Sequence, residues 1–272
     1  MTAQDEALPQ ELFFRISGTG DSPWELGRPQ PAIIKLVEKG IFHGEILDIG
    51  CGIADNAIYI KNHIENINLT AIDLVPKALG RPQPAIIKLV EKGIFHGEIL
   101  DIGCGIADNA IYIKNHIENI NLTAIDLVPK AIEVAREKAQ KNNVNIQFEA
   151  VNMLDDLSTI TTHTLKQHSY DIILDAAVFH MFSNDDRQIY VKNLEYLIKP
   201  NGLYVQICFS EKETREGGPR RITKADLNQL FSSDHGWTIE SIEDTVYELR
   251  PDGPIGADGR AYLSLIRRNK NI

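Results

Sequence analysis

The sequence is poor in cysteine, methionine and tryptophan, which number three, three and two among 272 residues. Cys51, Cys104 and Cys208 form no CxxC pair and no pattern that would indicate a disulfide framework. Such sparse, unpaired cysteine is typical of a reducing compartment. We therefore expect a cytoplasmic protein without structural disulfides.

Long apolar runs are also missing. No stretch approaches the roughly eighteen consecutive apolar residues that a membrane-spanning helix needs. The first residues, MTAQDEALPQELFF, are acidic and lack the basic and then apolar pattern of a signal peptide. Because 43% of the residues are hydrophobic and 24% are charged, the composition is that of an ordinary globular domain.

Basic residues are too few to balance the acids, and the net charge is −10. This charge argues against nonspecific binding to the phosphate backbone of a nucleic acid. His163 and His168 lie in a polar loop with no partner ligands at metal-binding spacing, and we expect no metal site. We expect a small-molecule partner, and neither nucleic acid nor a membrane.

What the sequence does contain is a perfect repeat, since residues 26–78 and 79–131 are identical at all 53 positions. The units of a repeat array share a sequence pattern but usually differ at individual residues, and such arrays usually need about three units for stability. Without one copy the chain has 272 − 53 = 219 residues, which suits one domain. We therefore predict a cofactor-covering segment and a redundant copy in residues 1–78, and the functional domain in residues 79–272.

The two copies compete for one place in the predicted sheet. Copy two (residues 79–131) runs directly into the rest of the chain, whereas using copy one (residues 26–78) loops out 53 residues, at an entropic cost. We expect copy two in the sheet and one ligand per chain. A monomer and a domain-swapped dimer both remain open for the spare copy.

Strands and helices alternate along the non-redundant chain. The patterns predict strands at 98–103, 121–127, 145–151, 170–178, 203–209, 237–249 and 261–267, and helices at 84–93, 109–118, 130–142 and 186–198. A last helix, capped by Thr223, is predicted to continue through about Phe231. This alternation predicts an α/β fold with a doubly wound, mostly parallel sheet of seven strands. The last two strands predict an antiparallel edge.

A glycine turn, DIGCGIAD at residues 101–108, follows the first strand of the domain. Ligands of open α/β sheets bind beyond the carboxyl ends of the strands, and glycines let the backbone approach them closely. The dinucleotide fingerprint is GxGxxG, but Asp108 stands at its sixth position, where a carboxylate repels a pyrophosphate. Asp108 therefore argues against a nicotinamide-dependent oxidoreductase, which stays the weakest alternative.

An acid two residues before the first glycine, followed by GxGxA, resembles the class I S-adenosylmethionine-dependent methyltransferases. The resemblance covers essentially all of the non-redundant chain and implies a Rossmann-like fold with S-adenosylmethionine as cofactor. It implies that Asp101 orients the loop and the amino-acid end of the cofactor, with Gly103, Cys104 and Gly105 along it. Many members have a third glycine where this chain has Ala107.

The resemblance extends to three later points. Asp126, after the second strand, matches the acid that accepts both ribose hydroxyls, and Leu127 would pack on adenine. Asn152 and Met153 fall where the family contacts the adenine, and Asp175 would line the methyl-donor side. An exposed strand-end carboxylate is the alternative for Asp126.

Finer resemblance points to thiopurine S-methyltransferase and its small-molecule relatives. PWELGRPQP (residues 23–31) looks like their N-terminal cover, which would place Trp24 over the cofactor. LDAAVFHMFSNDDR (residues 174–187) and CFSEKETREGGPRRIT (residues 208–223) resemble their substrate-side loops. The resemblance leaves the acceptor open among thiols, amines and hydroxyls.

Three side chains in these loops are candidates for acting on the acceptor. His180 is the candidate catalytic base. The alternative is that it is a structural residue packed against Phe179 and Phe182. Arg220 and Arg221 are candidates for binding an anionic substrate. The alternative is that both are solvated loop residues. The predicted reaction is an in-line methyl transfer, and a protein that binds S-adenosylmethionine without turnover is the alternative.

Overall fold

The structure, a computed structural model, describes residues 29–49, 55–65, 67–72, 80–159, 164–215, 219–249 and 257–270. Contacts divide the chain into two compact units, Met1–Lys77 with Val128–Lys130 and Ala78–Leu127 with Ala131–Ile272. The first unit contains copy one, up to residue 77, and the second contains copy two with most of the remaining chain.

Copy one forms a helix followed by a β-α-β element. Its members are α1 (Pro31–Glu38), β1 (Glu45–Ile49), α2 (Asp55–His63) and β2 (Asn68–Ile72). β1 and β2 pair in parallel from Glu45↔Asn68 to Ile49↔Ile72. Among the described residues, these two strands form a sheet of their own.

The remaining elements contain every helix and strand that the sequence predicts for residues 79–272, with bounds shifted by a few residues. They are α3 (Pro84–Glu91), β3 (Glu98–Ile102), α4 (Asp108–His116), β4 (Asn121–Asp126), α5 (Pro129–Lys141), β5 (Gln147–Ala150), β6 (Tyr170–Ala176), α6 (Asn184–Leu197), β7 (Ile198–Phe209), α7 (Lys224–Leu230), β8 (Trp237–Glu248) and β9 (Asp258–Arg268). Short 3-10 turns lie at Phe179–Met181 and Ser233–His235.

Seven strands form the main sheet in the order β5-β4-β3-β6-β7-β9-β8. The first five are parallel, and β9 runs antiparallel between β7 and β8. This confirms the doubly wound α/β fold with an antiparallel edge, and it places copy two in the sheet as expected. Because the chain moves outward from β3 through β4 to β5 and then returns to β6, the sheet has a topological switch point between β3 and β6.

Apolar side chains cover both faces of this sheet. Ile86 of α3 and Ile113 of α4 are fully buried on one face, and Leu100, Tyr204 and Trp237 are buried on the other. Burial on both faces explains the almost unbroken apolar runs of the central strands. The strand ends at the switch point therefore rest on a packed core.

Two capping boxes fix helices near the carboxyl ends of the strands. Ser183 accepts the N–H of Asp186 at the start of α6, and the predicted cap Thr223 accepts the N–H of Asp226 at the start of α7. Each such cap contributes about 1 kcal/mol. Of the helices in the described part of the chain, none is long and apolar enough to cross a membrane.

Candidate functional site

Asp101 lies inside β3 at the switch point and is 1% exposed. Its Oδ2 has no hydrogen-bond partner among the described residues. Burial, with Asp175 and Asp126 as neighbouring acids, raises the pKa of the Asp101 carboxyl well above its usual range. A buried carboxyl with an unsatisfied oxygen is suited to a cationic ligand, because a positive charge would stabilise the ionised form.

The glycine loop after β3 leaves its backbone open at one position. Gly103 has φ +66°, and a Cβ there would overlap the side chain of Val178. Gly105 has φ +54°, and a Cβ there would meet no atom within 4 Å. The loop is tied to β4 by the N–H of Cys104, which donates to the carbonyl of Ile125 at 2.9 Å. The space in front of Gly105 is the approach for a ligand.

Ala107 adopts the left-handed conformation that glycine would adopt freely. Its φ is +64° at the N-cap of α4, and its side chain is fully buried. Its N–H donates to the carbonyl of Cys104 at 2.8 Å, which holds the turn. An L-residue in this region costs about 1 kcal/mol. Replacement of the family's third glycine therefore adds local strain to the loop.

Asp108, in the first turn of α4, forms an ion pair with Lys138 of α5. Its carboxylate occupies the helix N-terminus that binds pyrophosphate in dinucleotide folds. The paired carboxylate supports the interpretation of the loop as one for a ligand without phosphates.

Asp126 ends β4, and its Oδ2 accepts the N–H of Gly105 at 2.8 Å. This bond joins the strand-end acid to the glycine loop. A carboxylate oxygen can accept more than one hydrogen bond, so the contact is compatible with a diol beside the loop. Leu127, the next residue, is half-buried, as a side chain beside a planar ring would be.

Asn152 and Met153 follow β5 in a tight turn. The Asn152 Oδ1 accepts the N–H of Leu154 at 3.0 Å, and its Nδ2 donates to the Asp155 Oδ1 at 3.0 Å. Met153 is buried, and its carbonyl accepts from the Asn193 Nδ2 at 2.9 Å. The structure therefore uses the Asn152 side chain within the turn, and the contact of these two residues with adenine stays a prediction.

Asp175 is fully buried at the end of β6 and is surrounded by donors. Its carboxylate accepts from the hydroxyls of Tyr190 at 2.6 Å and Tyr204 at 2.9 Å, and from the N–H of Val178 at 2.8 Å. These bonds hold the turn that presses Val178 against Gly103. The structure gives Asp175 a positioning role, and direct contact with the cofactor stays a prediction.

His180 is buried in the 3-10 turn after β6, with its ring edge-on to Phe209 at 5.1 Å. Its Nδ1 accepts the N–H of Phe209 at 2.9 Å, and the ring also hydrogen-bonds the backbone of Ala177. Burial and the nearby Arg187 lower the pKa of His180 to about 3. This arrangement favours the packed histidine over the base, because the Nδ1 lone pair is already used and the ring is neutral.

Arg220 and Arg221 differ in what they contact. Arg221 donates through Nε to the carbonyl of Glu213 at 2.9 Å and through Nη2 to that of Arg215 at 2.6 Å, and Nη1 donates to the carbonyl of Pro219. It thus holds its own loop together. Arg220 is exposed, and its Nη1 lies 3.5 Å from the Asn184 Oδ1. Arg221 also stacks on the ring of Phe209 in β7 at 5.5 Å, so each of the two predicted substrate ligands contacts a neighbouring element.

Cys104 and Trp24 are the last two of the predicted cofactor-binding residues. Burial and the nearby acids raise the pKa of the Cys104 thiol well above its usual range, so this side chain is a neutral filler of the turn. Trp24 lies outside the described residues. Among the described residues, no cluster of histidine, cysteine and acid side chains is placed to hold a metal ion.

Gln83, just before α3, makes contacts near the glycine loop that the sequence did not indicate. Its backbone N–H donates to the Asn109 Oδ1 at 2.9 Å, and its side-chain amide exchanges hydrogen bonds with the backbone of Glu248 at 2.8 and 3.1 Å. Gln83 therefore joins the helix after the glycine loop to the end of β8. Only tertiary structure reveals this contact, since Gln83 and Glu248 are 165 residues apart.

Arg187 was also missed, although it lies in a segment that resembles the substrate-side loops. It is 5% exposed on α6, and its Nη2 has no hydrogen-bond partner among the described residues. A buried arginine at helical spacing gives no sequence signal, because most arginines at such positions face solvent.

Comparison with known proteins agrees with this geometry. Residues 99–202 match the family described as "Methyltransferase domain". The chain is 27% identical over 181 residues to the 2-heptyl-1-hydroxyquinolin-4(1H)-one methyltransferase of Mycobacteroides abscessus. That alignment covers 65% of this chain and 75% of the relative.

Two solved structures are similar in fold. One comes from work on the conversion of a disulfide bond into a thioacetal group during echinomycin biosynthesis, with a TM-score of 0.62, 26% identity, and coverage of 72% of this chain and 87% of the other. The second is the 1,6-didemethyltoxoflavin-N1-methyltransferase of Burkholderia thailandensis with bound S-adenosylhomocysteine. It has a TM-score of 0.50, 18% identity, and coverage of 68% and 77%.

Proposed function

We propose that this chain, a class I S-adenosylmethionine-dependent methyltransferase, transfers the methyl group to a small-molecule acceptor by in-line displacement. The enzyme class and the cofactor follow from the methyltransferase domain and its relatives. The acceptor and the roles of individual residues are the proposal.

The observation that carries the proposal is Asp101 beside the open glycine loop. S-adenosylmethionine has a cationic ammonium and a cationic sulfonium, and Asp101 offers a buried carboxyl with an unpartnered oxygen. The backbone at Gly105 is open to solvent space, so the amino-acid end of the cofactor fits against it. The buried carboxyl and the open backbone at the loop therefore support binding of the amino-acid end of this cofactor.

In the proposed arrangement, the remaining predicted residues hold the nucleoside. Asp126 would accept the ribose hydroxyls while retaining its bond to Gly105, and Leu127, Asn152 and Met153 would surround the adenine. When bound, S-adenosylmethionine supplies an electrophilic methyl group on a good leaving group. The residues of this chain need only align the acceptor with that methyl, which is worth several kcal/mol in such reactions.

A small acceptor is supported by the two segments that resemble substrate-side loops of thiopurine S-methyltransferase. Residues 174–187 and 208–223 meet through the bond from Phe209 to His180 and through Arg220 beside Asn184. The first contact lies at the carboxyl ends of β6 and β7, and the second lies at the start of α6. The relative from Mycobacteroides abscessus, which by its name methylates a hydroxyquinolinone, supports a heterocyclic acceptor of similar size.

We propose that no side-chain base removes a proton from the acceptor during transfer. His180 was the candidate, and its engaged nitrogens make it a packing residue of the turn. Methyl transfer to an acceptor that is already ionised needs no base.

A test of this function measures methylated product by mass spectrometry with S-adenosylmethionine and each of three acceptors. These are 2-heptyl-1-hydroxyquinolin-4(1H)-one, thiophenol and aniline. We expect product with at least one acceptor, and kcat that changes less than about threefold in His180→Gln, since no proton passes through this ring. Calorimetric binding of S-adenosylmethionine without any product would instead favour the non-catalytic binding protein, and binding of NAD would favour an oxidoreductase.

A further inference from the structure

Two buried arginines of this chain are held in different ways. Arg268 is 8% exposed, stacks on Trp237 at 4.9 Å, and pairs with the Glu195 carboxylate at 3.1 Å. Arg187 is 5% exposed and stacks on Phe179 at 5.1 Å, but it forms no ion pair with any described residue. Among the described residues, Arg268 therefore has a carboxylate within ion-pair distance and Arg187 has none.

A second arginine, Arg220, lies near Arg187, at a place where a buried arginine would usually have a carboxylate as its partner. Its Nε donates to the carbonyl of Phe179 at 3.4 Å, and its Nη1 donates to the Asn184 Oδ1 at 3.2 Å. The same Asn184 oxygen lies 3.5 Å from the Nη1 of Arg220. Two guanidinium groups thus share one neutral amide oxygen, and the Nη2 of Arg187 has no partner.

Asp226 is the acid that most affects the pKa of Arg187, but its carboxylate already accepts hydrogen bonds at the start of α7. Asp226 accepts the N–H and the hydroxyl of Thr223 as the capping box of α7. Burial and the neighbouring Arg220 lower the pKa of Arg187 from its ordinary value, and Asp226 and Cys208 only partly oppose them. A guanidinium stays charged at neutral pH, and burial of a charge without a paired counter-ion is unfavourable. An anion supplied from outside would remove this cost.

Arg187 is connected to the glycine loop through Phe179 and Val178. Arg187 bonds the carbonyl of Phe179, the residue after Val178, and Val178 packs against Gly103 of the cofactor loop. Arg220 is exposed and therefore lies at the solvent side of the pair. A ligand that enters past Arg220 would meet Arg187 next to the loop.

Resting on the proposed function, we propose that Arg187 and Arg220 bind the acceptor as an oxyanion, so that the substrates are small heterocycles with an acidic hydroxyl. The acceptor loses its proton to water before transfer, because the paired guanidinium charges stabilise the ionised oxygen. That oxygen then forms the O–C bond to the methyl group as the S–C bond breaks, and the bonding pair remains on sulfur. The products are a neutral methyl ether and a neutral thioether.

The test follows the ionisation of a bound acceptor by absorbance. The probe is 2-heptyl-1-hydroxyquinolin-4(1H)-one, titrated with pH in its complex with the protein and S-adenosylhomocysteine. We expect the pKa of the probe hydroxyl to be about one unit lower in the wild-type complex than in free solution. Its 1-methoxy derivative, which cannot ionise, should bind about tenfold more weakly.

The variants Arg187→Gln and Arg220→Gln should each weaken probe binding about tenfold and reduce or remove the pKa shift. Arg187→Lys, which keeps the charge, should retain part of both. The matched control is Arg268→Gln, which removes another buried arginine and should leave probe affinity and pKa unchanged. Affinity for S-adenosylhomocysteine, measured by calorimetry, reports that each variant is folded.

Folded Arg187→Gln and Arg220→Gln proteins with wild-type probe affinity and pKa shift would overturn the assignment. So would a wild-type protein that does not bind the probe, or that methylates thiophenol or aniline only. In the last case the proposed methyl transfer stands and only the oxyanion assignment is lost. Absence of product with every acceptor contradicts the proposed function itself.

Discussion

Copy one and copy two carry the same 53 residues in two different surroundings. Their internal contacts are nearly the same: Gln30 and Gln83 each bond an asparagine Oδ1 26 positions later at 2.9 Å. The ring pairs Tyr59–His63 and Tyr112–His116 are both 4.0 Å apart. The strand pairs have the same register, offset by 53 positions. Local structure therefore follows from the shared sequence.

What differs is the packing. α3 buries Ala85, Ile86 and Leu89, whereas the identical α1 has no buried residue. β3 pairs with β4 on one side and β6 on the other, whereas β1 pairs, among described strands, with β2 only. Ile41 of copy one is 54% exposed, whereas its counterpart Ile94 packs against the core. The comparison shows that burial depends on the place of a segment in the chain as well as on its residues.

The largest expected effect comes from removing core side chains in matched pairs. Ile86→Ala should lower the free energy of unfolding of the seven-stranded unit by about 3 kcal/mol, because the side chain is fully buried. Ile33→Ala, the same change in copy one, should cost less than about 1 kcal/mol, since Ile33 is only half-buried. Urea denaturation followed by Trp237 fluorescence measures both. Equal losses of unfolding free energy in the two variants would contradict this difference in packing.

The next effect concerns the cofactor. Asp126→Ala should weaken S-adenosylmethionine binding by about 100-fold, or about 2.7 kcal/mol, because two charge-assisted hydrogen bonds are lost. Asp73→Ala, the matched change in copy one, should leave the affinity within about twofold of wild type. Calorimetry with S-adenosylmethionine provides the measurement. The reverse result would assign the cofactor to copy one.

The smallest expected effect comes from deleting one copy, which gives the same 219-residue chain whichever copy is removed. In the present chain Trp24 and Glu25 precede copy one, and Lys77 and Ala78 precede copy two. Deletion of residues 26–78 rejoins the predicted cover to the segment that forms β3. We expect kcat/KM to rise about tenfold, about 1.4 kcal/mol of transition-state binding. An unchanged or lower value would contradict the proposed role of Trp24.

Much of the fold was predictable because its signals are local. Strand and helix positions follow from apolar periodicity, and Thr223 was identifiable as a cap from its place before α7. β7 was predicted to start at residue 203, but it begins at Ile198. The turn residues Pro200 and Gly202 lie within an irregular stretch of its pairing with β6. Such long-range pairing is not visible in the sequence of the turn.

The site was predictable where a motif exists and not where partners are distant. The acid and glycines of DIGCGIAD indicate the cofactor loop by spacing alone. Nothing in the sequence places Tyr190 and Tyr204 on Asp175, or the N–H of Phe209 on His180. The sequence is therefore equally compatible with His180 as a base or as a packed side chain, and its hydrogen bonds favour the packed side chain.

The sequence by itself determined the α/β class and the internal structure of both copies, and it predicted the cofactor loop, because these depend on interactions between residues close along the chain. Only the tertiary structure decided which copy occupies the central place of the sheet. Two identical strands have identical propensities, and that place accepts one of them. Likewise, only the folded structure shows that, among the described residues, Arg268 pairs with a carboxylate and Arg187 has none within ion-pair distance, because a counter-ion is supplied by residues that the sequence alone does not bring together.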